Sequence, residues 1–422
     1  MKFSSITFSN FRCFGNYNLV FKPTVNLLFG VNGSGKTSIL RGLEIAMSSF
    51  FSGFSDSNTR FIGISNDDFM SEISDGVESL ERSVVISYDL ASYSNMQLKR
   101  TGKKNRTAIA GIKQLRDYAH TLYKELSTED DGSIALPLFA AFSTEDIHSS
   151  RKINGSVFCK YFKPRSFGYY ECLQGDGFFD YWMRRLMILQ EGQKSLGEIA
   201  VVQHAIAEAL GDEGCGIIRS LSIRPLQKTV YFNFTDGREV ESRHLSDGYK
   251  RLVNIVTDLS IRCYILNGKK YEMNCCHETE GVVLIDEVDQ HLHPELQSVV
   301  LKSLHRAFPR LQFIVSSHAP MVLSSVETNE NNEVIHLQYQ NGEYTATPIV
   351  TYGMDASTIL KSFMGNRSRV AEVEDRLKCL FDLIDEEKFV EAKSELASMR
   401  EKYSDTLPEL SRAESMLVFL DS

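Results

Sequence analysis

The fold is decided by the stretch Gly30-Val31-Asn32-Gly33-Ser34-Gly35-Lys36-Thr37, a glycine-rich segment that ends in a lysine and a threonine. An apolar segment, 25–29, precedes it, and a segment with helical spacing of apolar residues, 38–47, follows it. A strand, a glycine-rich turn and a helix in this order place backbone N–H groups and the positive end of a helix around phosphates. The stretch therefore predicts a phosphate-binding loop.

The residue types in this loop fit a nucleoside triphosphate with its metal ion. Glycines permit tight turns and a close approach of the backbone to the phosphates. We expect Lys36 to reach the terminal phosphates and the Thr37 hydroxyl to bind Mg²⁺. The predicted ATP contacts in the loop are Asn32, Gly33, Ser34, Gly35, Lys36, Thr37 and Ser38.

A second apolar stretch, 281–285, ends in two carboxylates, Asp286 and Glu287. Paired carboxylates after a buried strand are unfavourable unless something binds there. We predict that Asp286 holds Mg²⁺ and that Glu287 is catalytic, because it can orient and polarise the attacking water in phosphoryl transfer. The alternative is a pair of solvated residues at the end of a strand.

Two further motifs resemble those of ABC-type ATPase heads. Leu245-Ser246-Asp247-Gly248-Tyr249 is similar to their signature Leu-Ser-Gly-Gly-Gln, and Phe313-Ile314-Val315-Ser316-Ser317-His318 predicts a second strand that ends in a histidine. The resemblance implies that Ser246 and Gly248 contact ATP bound to a second protomer, and that His318 is a catalytic residue at the γ-phosphate. Each motif alone has a simpler interpretation, a capped helix and a structural histidine.

The motifs predict an α/β fold: a P-loop ATPase head with a mixed sheet and helices, a helical insertion and a helical C-terminal tail. No heptad repeat is sustained, which argues against a long coiled coil. Asn341-Gly342 predicts a hairpin turn. We divide the chain into an N-terminal lobe with the phosphate loop, a partly helical insertion, a C-terminal lobe of the head and a tail, at 1–48, 49–215, 216–350 and 351–422.

Composition limits the classes of protein. The 422 residues are 42% hydrophobic and 24% charged, as in soluble globular proteins. No run of 18 apolar residues and no signal peptide is visible, so we expect a cytoplasmic protein without a membrane partner. The net charge of −9 argues against indiscriminate coating of DNA. We expect the eight cysteines to be reduced thiols, because no Cys-x-x-Cys pair is present.

Three basic stretches lie in the insertion, at 99–106, 151–152 and 160–165. Such clusters can bind phosphate backbones, so nucleic acid is a possible partner, although solvated loops have the same composition. The turn Asn10-Phe11-Arg12 resembles the same turn in RecF- and SMC-like heads, where the arginine lies near the nucleotide. Arg12 is therefore a candidate nucleotide contact, and a surface arginine is the alternative.

The run from Asp286 to Pro294 resembles the form found in RecF/OLD-like bacterial ATPases, in contrast to the Asp-Glu-Pro-Thr of ABC transporters. Asp289 in this run is a predicted nucleotide contact. The segments 352–360 and 364–367, with 389–393 in the tail, are similar to the ATPase subunit of Septu-type anti-phage systems, which also occurs in some retron systems.

The resemblance implies an ATP-hydrolysing regulatory subunit of an anti-phage defence complex. It implies homo-oligomers built on dimers that sandwich ATP, and a separate HNH nuclease that is gated by ATP-dependent assembly. Two alternatives remain open at this stage. One is a RecF-like DNA-repair or DNA-loading ATPase without a nuclease partner, and the other is a scaffold that nucleotide locks without turnover.

Overall fold

The computed structural model describes residues 1–70, 73–74, 77–78, 83–128, 130, 132–143, 158, 160–173, 178–364, 370–404 and 407–420. The basic pair at 151–152 and part of the motif at 364–367 lie outside these residues. The chain divides into two compact units, Met1–Asp355 and Ala356–Ser422. The first contains all the predicted nucleotide-binding motifs.

The strands of the first unit run in chain order. They are β1 Phe3–Phe11, β2 Phe14–Val20, β3 Val25–Phe29, β4 Ile73–Ser74, β5 Val77–Glu78, β6 Val84–Leu90, β7 Tyr93–Arg100, β8 Leu138–Phe142, β9 Ile218–Arg224, β10 Thr229–Phe234, β11 Glu239–Glu241, β12 Gly281–Ile285, β13 Leu311–Ser317, β14 Asn332–Gln340 and β15 Glu343–Ile349.

Helices connect these strands and form the second unit. They are α1 Lys36–Ser48, α2 Lys113–Thr128, α3 Phe179–Glu191, α4 Leu196–Leu210, α5 Asp247–Tyr271, α6 Cys275–Glu278, α7 Pro294–Gln297, α8 Val300–Ala307, α9 Pro320–Ser325, α10 Ala356–Phe363, α11 Ala371–Asp385, α12 Phe389–Tyr403 and α13 Pro408–Leu420. Among the helices of the described residues, none combines the length and apolar character needed to cross a membrane.

A six-stranded sheet in the order β15-β14-β3-β13-β12-β8 forms the centre of the first unit. All its pairs are parallel except the β14–β15 hairpin. The strands β3, β12, β13 and β8 are buried along their whole length, as expected for parallel strands covered on both faces. Parallel strands end at one edge of a sheet, and this edge receives the phosphate loop and both catalytic motifs.

An antiparallel sheet in the order β2-β1-β6-β7 accompanies the central sheet. β6 pairs with β1, and its alternating burial supplies one apolar face to this sheet. The segment 49–215 thus contributes β6 and β7 to this sheet and β8 to the central one. Its treatment as a separate insertion, with the boundaries at 48, 215 and 350, stays a prediction.

The helix α5 begins within the signature segment, at Asp247, and ends at Tyr271. Its middle is fixed by a buried network: Trp182 Nε1 of α3 donates to Asp258 at 2.7 Å, and Arg262 Nε donates to the same carboxylate at 2.6 Å. Arg262 also donates to the carbonyls of Gly168 and Tyr170. A helix anchored in this way holds its N-terminus in a fixed position.

Two predictions from the sequence, the hairpin turn and the helical tail, are confirmed. Asn341 and Gly342 have φ angles of 55° and 87°, the conformation of a type I′ turn between β14 and β15. The tail is helical, and its regularly spaced apolar residues form a core of their own. The buried members of this core are Leu377, Leu380, Ile384, Ala392, Leu396, Met399, Leu410, Ala413 and Leu417.

Candidate nucleotide-binding site

The phosphate loop connects β3 to α1 in a conformation that requires glycine. Gly33 and Gly35 have φ angles of 83° and 94°, a region that L-amino acids with side chains rarely occupy. A Cβ atom on Gly30 would lie 2.4 Å from the carbonyl oxygen of Leu337, and one on Gly35 would lie 2.5 Å from the Phe14 ring. The glycines therefore permit both the turn and the close packing of the loop on its neighbours.

Lys36 begins α1, and its ammonium group lies inside the loop. It donates hydrogen bonds to the carbonyl oxygens of Gly30 at 2.8 Å and Val31 at 3.1 Å. Burial lowers the pKa of Lys36 to about 8, although the carboxylates of Asp286 and Glu287 oppose the shift. The charge is desolvated and held by neutral carbonyls, so an anion here would gain a charge-assisted hydrogen bond.

The next residue, Thr37, contacts the carboxylate at the end of β12. Thr37 Oγ1 donates to Asp286 Oδ2 at 3.2 Å, and Ser316 Oγ donates to the other oxygen, Oδ1, at 2.5 Å. The Asp286 backbone N–H donates to the carbonyl of Phe142 at 2.8 Å, which fixes the residue beside the end of β8. The structure thus brings the two predicted metal ligands together.

Glu287 follows Asp286 in an unusual backbone conformation. Its φ angle is 49°, in the left-handed region that residues with side chains seldom adopt. Its backbone N–H donates to Ser316 Oγ at 2.8 Å, and the N–H of Val288 donates to the Ser316 carbonyl at 3.0 Å. The backbone is therefore held in a strained turn at the point where the second carboxylate leaves the sheet.

His318 follows β13 and belongs to the same electrostatic cluster. Burial lowers the pKa of His318, and the positive charge of Lys36 lowers it further, whereas nearby carboxylates, including Glu287, oppose the shift. A pKa below the ordinary value makes the neutral imidazole the main form at pH 7. A neutral ring can donate one hydrogen bond and accept another.

Two buried atoms at the site test whether a triphosphate and its metal ion fit these residues. Within the described part of the chain, Ser34 Oγ of the phosphate loop and Asp289 Oδ1 have no hydrogen-bond partner. A buried polar atom without a partner is costly, so both positions favour a bound polar group. Thr37 and Asp286 supply oxygen atoms, the ligands that Mg²⁺ prefers. The loop and the carboxylate edge therefore fit Mg²⁺ and a triphosphate.

Asn32 lies on the exposed side of the loop, and Ser38 lies in the first turn of α1.

Arg12 lies in the same cleft but already has a partner. A cavity of about 60 Å³ is lined by Arg12, Thr37 and Asp286 together with Ser143. Arg12 Nε donates to Asp68 Oδ1 at 2.9 Å, and Asp68 is fully buried. Burial alone would raise the pKa of Asp68, but hydrogen bonds from Ser65 and the nearby guanidinium groups hold it below its ordinary value. The role of Arg12 at the nucleotide stays a prediction.

The signature segment forms the start of α5. Ser246 precedes the helix and is exposed, and its side chain makes no capping hydrogen bond to a described residue. A Cβ atom on Gly248 would lie 2.3 Å from the carbonyl oxygen of His291, so only glycine allows the helix to approach the loop after the carboxylates this closely. The exposed Ser246 is placed at a helix N-terminus, which favours an anion.

Three residues of the site escape motif reasoning. Ser316 hydrogen-bonds to the Asp286 carboxylate and to the Glu287 backbone N–H, as described above. Arg251 of α5 donates to the carbonyl of Asp286 at 2.5 Å and to the Gln290 side chain, which ties the signature helix to the carboxylate loop. Ser143 follows β8, and only the parallel pairing of β8 with β12 reveals that it lies beside Asp286.

Two arginines of the basic stretches make hydrogen bonds within the fold. Arg100 donates to the carbonyls of Ile64 and Asn105, so it holds its own loop together. Arg165 is buried and donates to the Leu266 carbonyl at 2.6 Å and to Asp130 at 2.9 Å. Both arginines thus bind groups inside the fold, and nucleic-acid binding by the basic stretches stays a prediction.

A family model described as "AAA domain, putative AbiEii toxin, Type IV TA system" matches residues 25–324. The chain belongs to this family. The match spans the phosphate loop, the signature, the carboxylates and the histidine. It confirms the predicted class, an α/β P-loop ATPase.

Similar curated proteins include two from bacterial systems. "Retron Vc95 probable ATPase" from Vibrio cholerae serotype O1 biovar El Tor is 33% identical over 143 residues, 32% of this chain and 27% of that protein. "Septu protein PtuA" from Bacillus mycoides strain KBAB4 is 32% identical over 105 residues, 25% of this chain and 14% of that protein. The predicted resemblance to Septu and retron ATPases is confirmed, and the matches span less than a third of either relative.

Two solved structures are similar at low identity. An SmcHead bound to the C-winged helix domain of ScpA is 13% identical, with a TM-score of 0.47, and the match covers 83% of this chain and 98% of that chain. The recombination mediator protein RecF is 15% identical, with a TM-score of 0.40, and the match covers 82% of this chain and 97% of that chain.

Proposed function

We propose that this chain binds MgATP and hydrolyses it at the carboxyl edge of the central sheet. The observation that carries the proposal is the convergence of Lys36 and Thr37 with Asp286 and Glu287 from two separate segments. Nothing in the packing of a sheet requires a desolvated ammonium group beside two carboxylates. A site that binds a triphosphate and a metal ion does require them.

Each group of the site has a role that follows from its chemistry. Lys36 and the loop N–H groups bind the phosphates, and the unpartnered Ser34 hydroxyl adds a donor. Thr37 and Asp286 would hold Mg²⁺, which neutralises developing charge on the phosphates when bound. Glu287 orients the attacking water and polarises it. The neutral His318 donates a hydrogen bond to the terminal phosphate.

The active form in this proposal is a dimer that sandwiches two ATP molecules. Ser246 is exposed at the start of α5, where a helix N-terminus favours the γ-phosphate bound to a second copy. Gly248 follows it in the same turn. The dimer then contains two composite sites, each built from the phosphate loop of one copy and the signature of the other.

We further propose that the chain is the regulatory ATPase of a cytoplasmic anti-phage defence complex. The relatives named as a Septu protein and a retron ATPase support this assignment. In this proposal a separate HNH nuclease cuts nucleic acid, and ATP-dependent assembly of the ATPase controls it. The ATPase sets the state of the complex, and its partner performs the cleavage.

Three variants of the purified chain test the ATPase. Lys36→Ala should lose ATP binding, because the only ammonium group described inside the loop is removed. Glu287→Gln should bind MgATP, stop turnover and accumulate dimers on a sizing column, whereas Ser246→Ala should bind ATP and fail to dimerise. Turnover by Glu287→Gln at the wild-type rate would overturn the catalytic assignment.

A pull-down from the native cell tests the defence complex. Mass spectrometry should identify a small HNH nuclease in a defined stoichiometry, and Glu287→Gln should change how much of it is retained. A bare ATPase with DNA-stimulated turnover would instead favour the RecF-like alternative. A bare dimer without turnover would favour the scaffold.

A further inference from the structure

Ser316 contacts two consecutive residues through one hydroxyl group, the carboxylate of Asp286 and the backbone N–H of Glu287. The side chain is fully buried at the end of β13, two residues before His318. Its Oγ donates to Asp286 Oδ1 at 2.5 Å and accepts the backbone N–H of Glu287 at 2.8 Å. A hydroxyl has one proton to donate and can accept as well, so both contacts form at the same time.

The contact with Asp286 distinguishes the two oxygens of its carboxylate. Oδ1 accepts the Ser316 hydroxyl, and Oδ2 accepts the Thr37 hydroxyl. With Oδ1 held against β13, the carboxylate cannot rotate freely, and Oδ2 stays directed at Thr37. A metal-binding carboxylate gains orientation from such an outer hydrogen bond.

The contact with Glu287 holds a strained backbone. Glu287 has a φ angle of 49°, a region that residues with side chains occupy only where their surroundings hold them there. Ser316 provides both acceptors that hold the turn: its hydroxyl binds the N–H of Glu287, and its carbonyl binds the N–H of Val288. The position of the Glu287 side chain therefore depends on the same residue that orients Asp286.

We propose that Ser316 is a positioning residue of the ATPase, which sets the distance and orientation between the metal-binding carboxylate Asp286 and the catalytic carboxylate Glu287. The proposal rests on the ATPase function proposed above. Ser316 lies 30 residues from Asp286 in the chain, and the parallel pairing of β12 with β13 brings them together. β13, the strand that precedes His318, thus also positions the two acidic residues.

The test compares Ser316→Ala with a matched loss of a buried hydroxyl. Ser260→Ala is the control, because Ser260 is fully buried in α5 and its hydroxyl donates to the carbonyl of Thr257. We expect Ser316→Ala to lower kcat about 10–100-fold, the usual range for outer-sphere contacts. The Mg²⁺ concentration that gives the half-maximal effect on nucleotide binding should rise by a similar factor. Binding of a fluorescent ATP analogue in EDTA should stay at the wild-type level.

Two further variants separate positioning from folding. Ser316→Cys keeps the approximate size but weakens the donor, so it should show the losses of kcat and Mg²⁺ affinity expected for Ser316→Ala, and it replaces that variant in the test if the alanine variant unfolds. Ser316→Thr keeps the hydroxyl and should recover most of the Mg²⁺ affinity. Wild-type kcat and Mg²⁺ dependence in both Ser316→Ala and Ser316→Cys would overturn the proposal. Equal loss of metal-free nucleotide binding and of thermal stability would also overturn it, because it indicates a general structural role.

The failure of this inference is distinguishable from the failure of the ATPase proposal. If the wild-type chain hydrolyses no ATP under any condition, the ATPase function fails. If the wild-type chain is active and the Ser316 variants match it, only the role of Ser316 fails. The Mg²⁺-dependent binding measurement does not need turnover, so it tests the orientation of Asp286 in either case.

Discussion

Gly248→Ala tests whether the signature helix sets the position of Glu287, the proposed catalytic carboxylate, in its own chain. The added Cβ atom would lie 2.3 Å from the His291 carbonyl oxygen, whereas ordinary contact begins at 3.4 Å. The helix and the loop must then separate by about 1 Å, and misplacement of a catalytic group on that scale costs about 100-fold in rate. The loop from Glu287 to His291 carries the group that is displaced.

The expected result is a loss of about 2.7 kcal/mol of transition-state stabilisation, which corresponds to 100-fold in turnover. Steady-state ATP hydrolysis measures it, and binding of a fluorescent ATP analogue to the phosphate loop should not change. His291 has a φ angle of 60°, so His291→Gly relaxes the loop and should return part of the activity in the double variant.

Gly342→Ala is the matched control. Gly342 has a φ angle of 87° and no atom within 4 Å of the added Cβ, so the variant introduces backbone strain of about 1–2 kcal/mol in the hairpin turn without a steric clash. It should lose stability and keep its turnover, because the added Cβ meets no atom that would be displaced. Wild-type turnover by Gly248→Ala would refute the reasoning, because it would mean that the helix and loop separate without moving Glu287.

Three other predictions concern buried or partly buried ionisable groups. Because the pKa of Lys36 is lowered to about 8 from 10.5, the unfolded chain binds more protons between these values, and stability should rise with pH through that window. Lys36→Met should therefore raise the free energy of unfolding at pH 7 by about 1–3 kcal/mol, in the nucleotide-free chain. Asp258→Asn leaves the fully buried Arg262 without its counter-charge and should cost about 3–5 kcal/mol in urea unfolding followed by the single tryptophan, whereas Arg224→Ala at an exposed ion pair should cost less than about 1 kcal/mol. His318→Ala should lower kcat by about 100-fold or more, and His318→Gln, which keeps an N–H donor, should recover part of it in the same hydrolysis assay.

The motifs are predictable because their geometry is local. A phosphate loop needs glycines at positions with positive φ angles, and Gly33 and Gly35 have them. The hairpin turn at 341–342 depends on the same conformational freedom. The apolar stretches before Asp286 and His318 predict buried strands, because a parallel strand covered on both faces has no polar side.

The assignment of single charges is less predictable. Arg100 and Arg165 stand in basic stretches, and sequence composition cannot distinguish an arginine that faces solvent from one that binds carbonyl groups inside the fold. Arg251 is the opposite case, a charged residue whose contact at the site the sequence does not indicate. It follows the signature as one more positive charge, and its contact with the Asp286 carbonyl becomes visible only when α5 is packed on the carboxylate loop.

The sequence by itself determined the class of the protein, its phosphate loop, its carboxylate pair and the histidine that follows the next strand. These depend on residue types at fixed short spacings, where backbone conformation and burial act within one segment. The tertiary structure decided which residues connect those segments: Ser316 on the Asp286 carboxylate and the Glu287 N–H, Arg251 on the Asp286 carbonyl, and Ser143 in the cavity beside Asp286. Their contacts join residues far apart in the chain, and only the order of strands in the central sheet brings them within hydrogen-bond or contact distance.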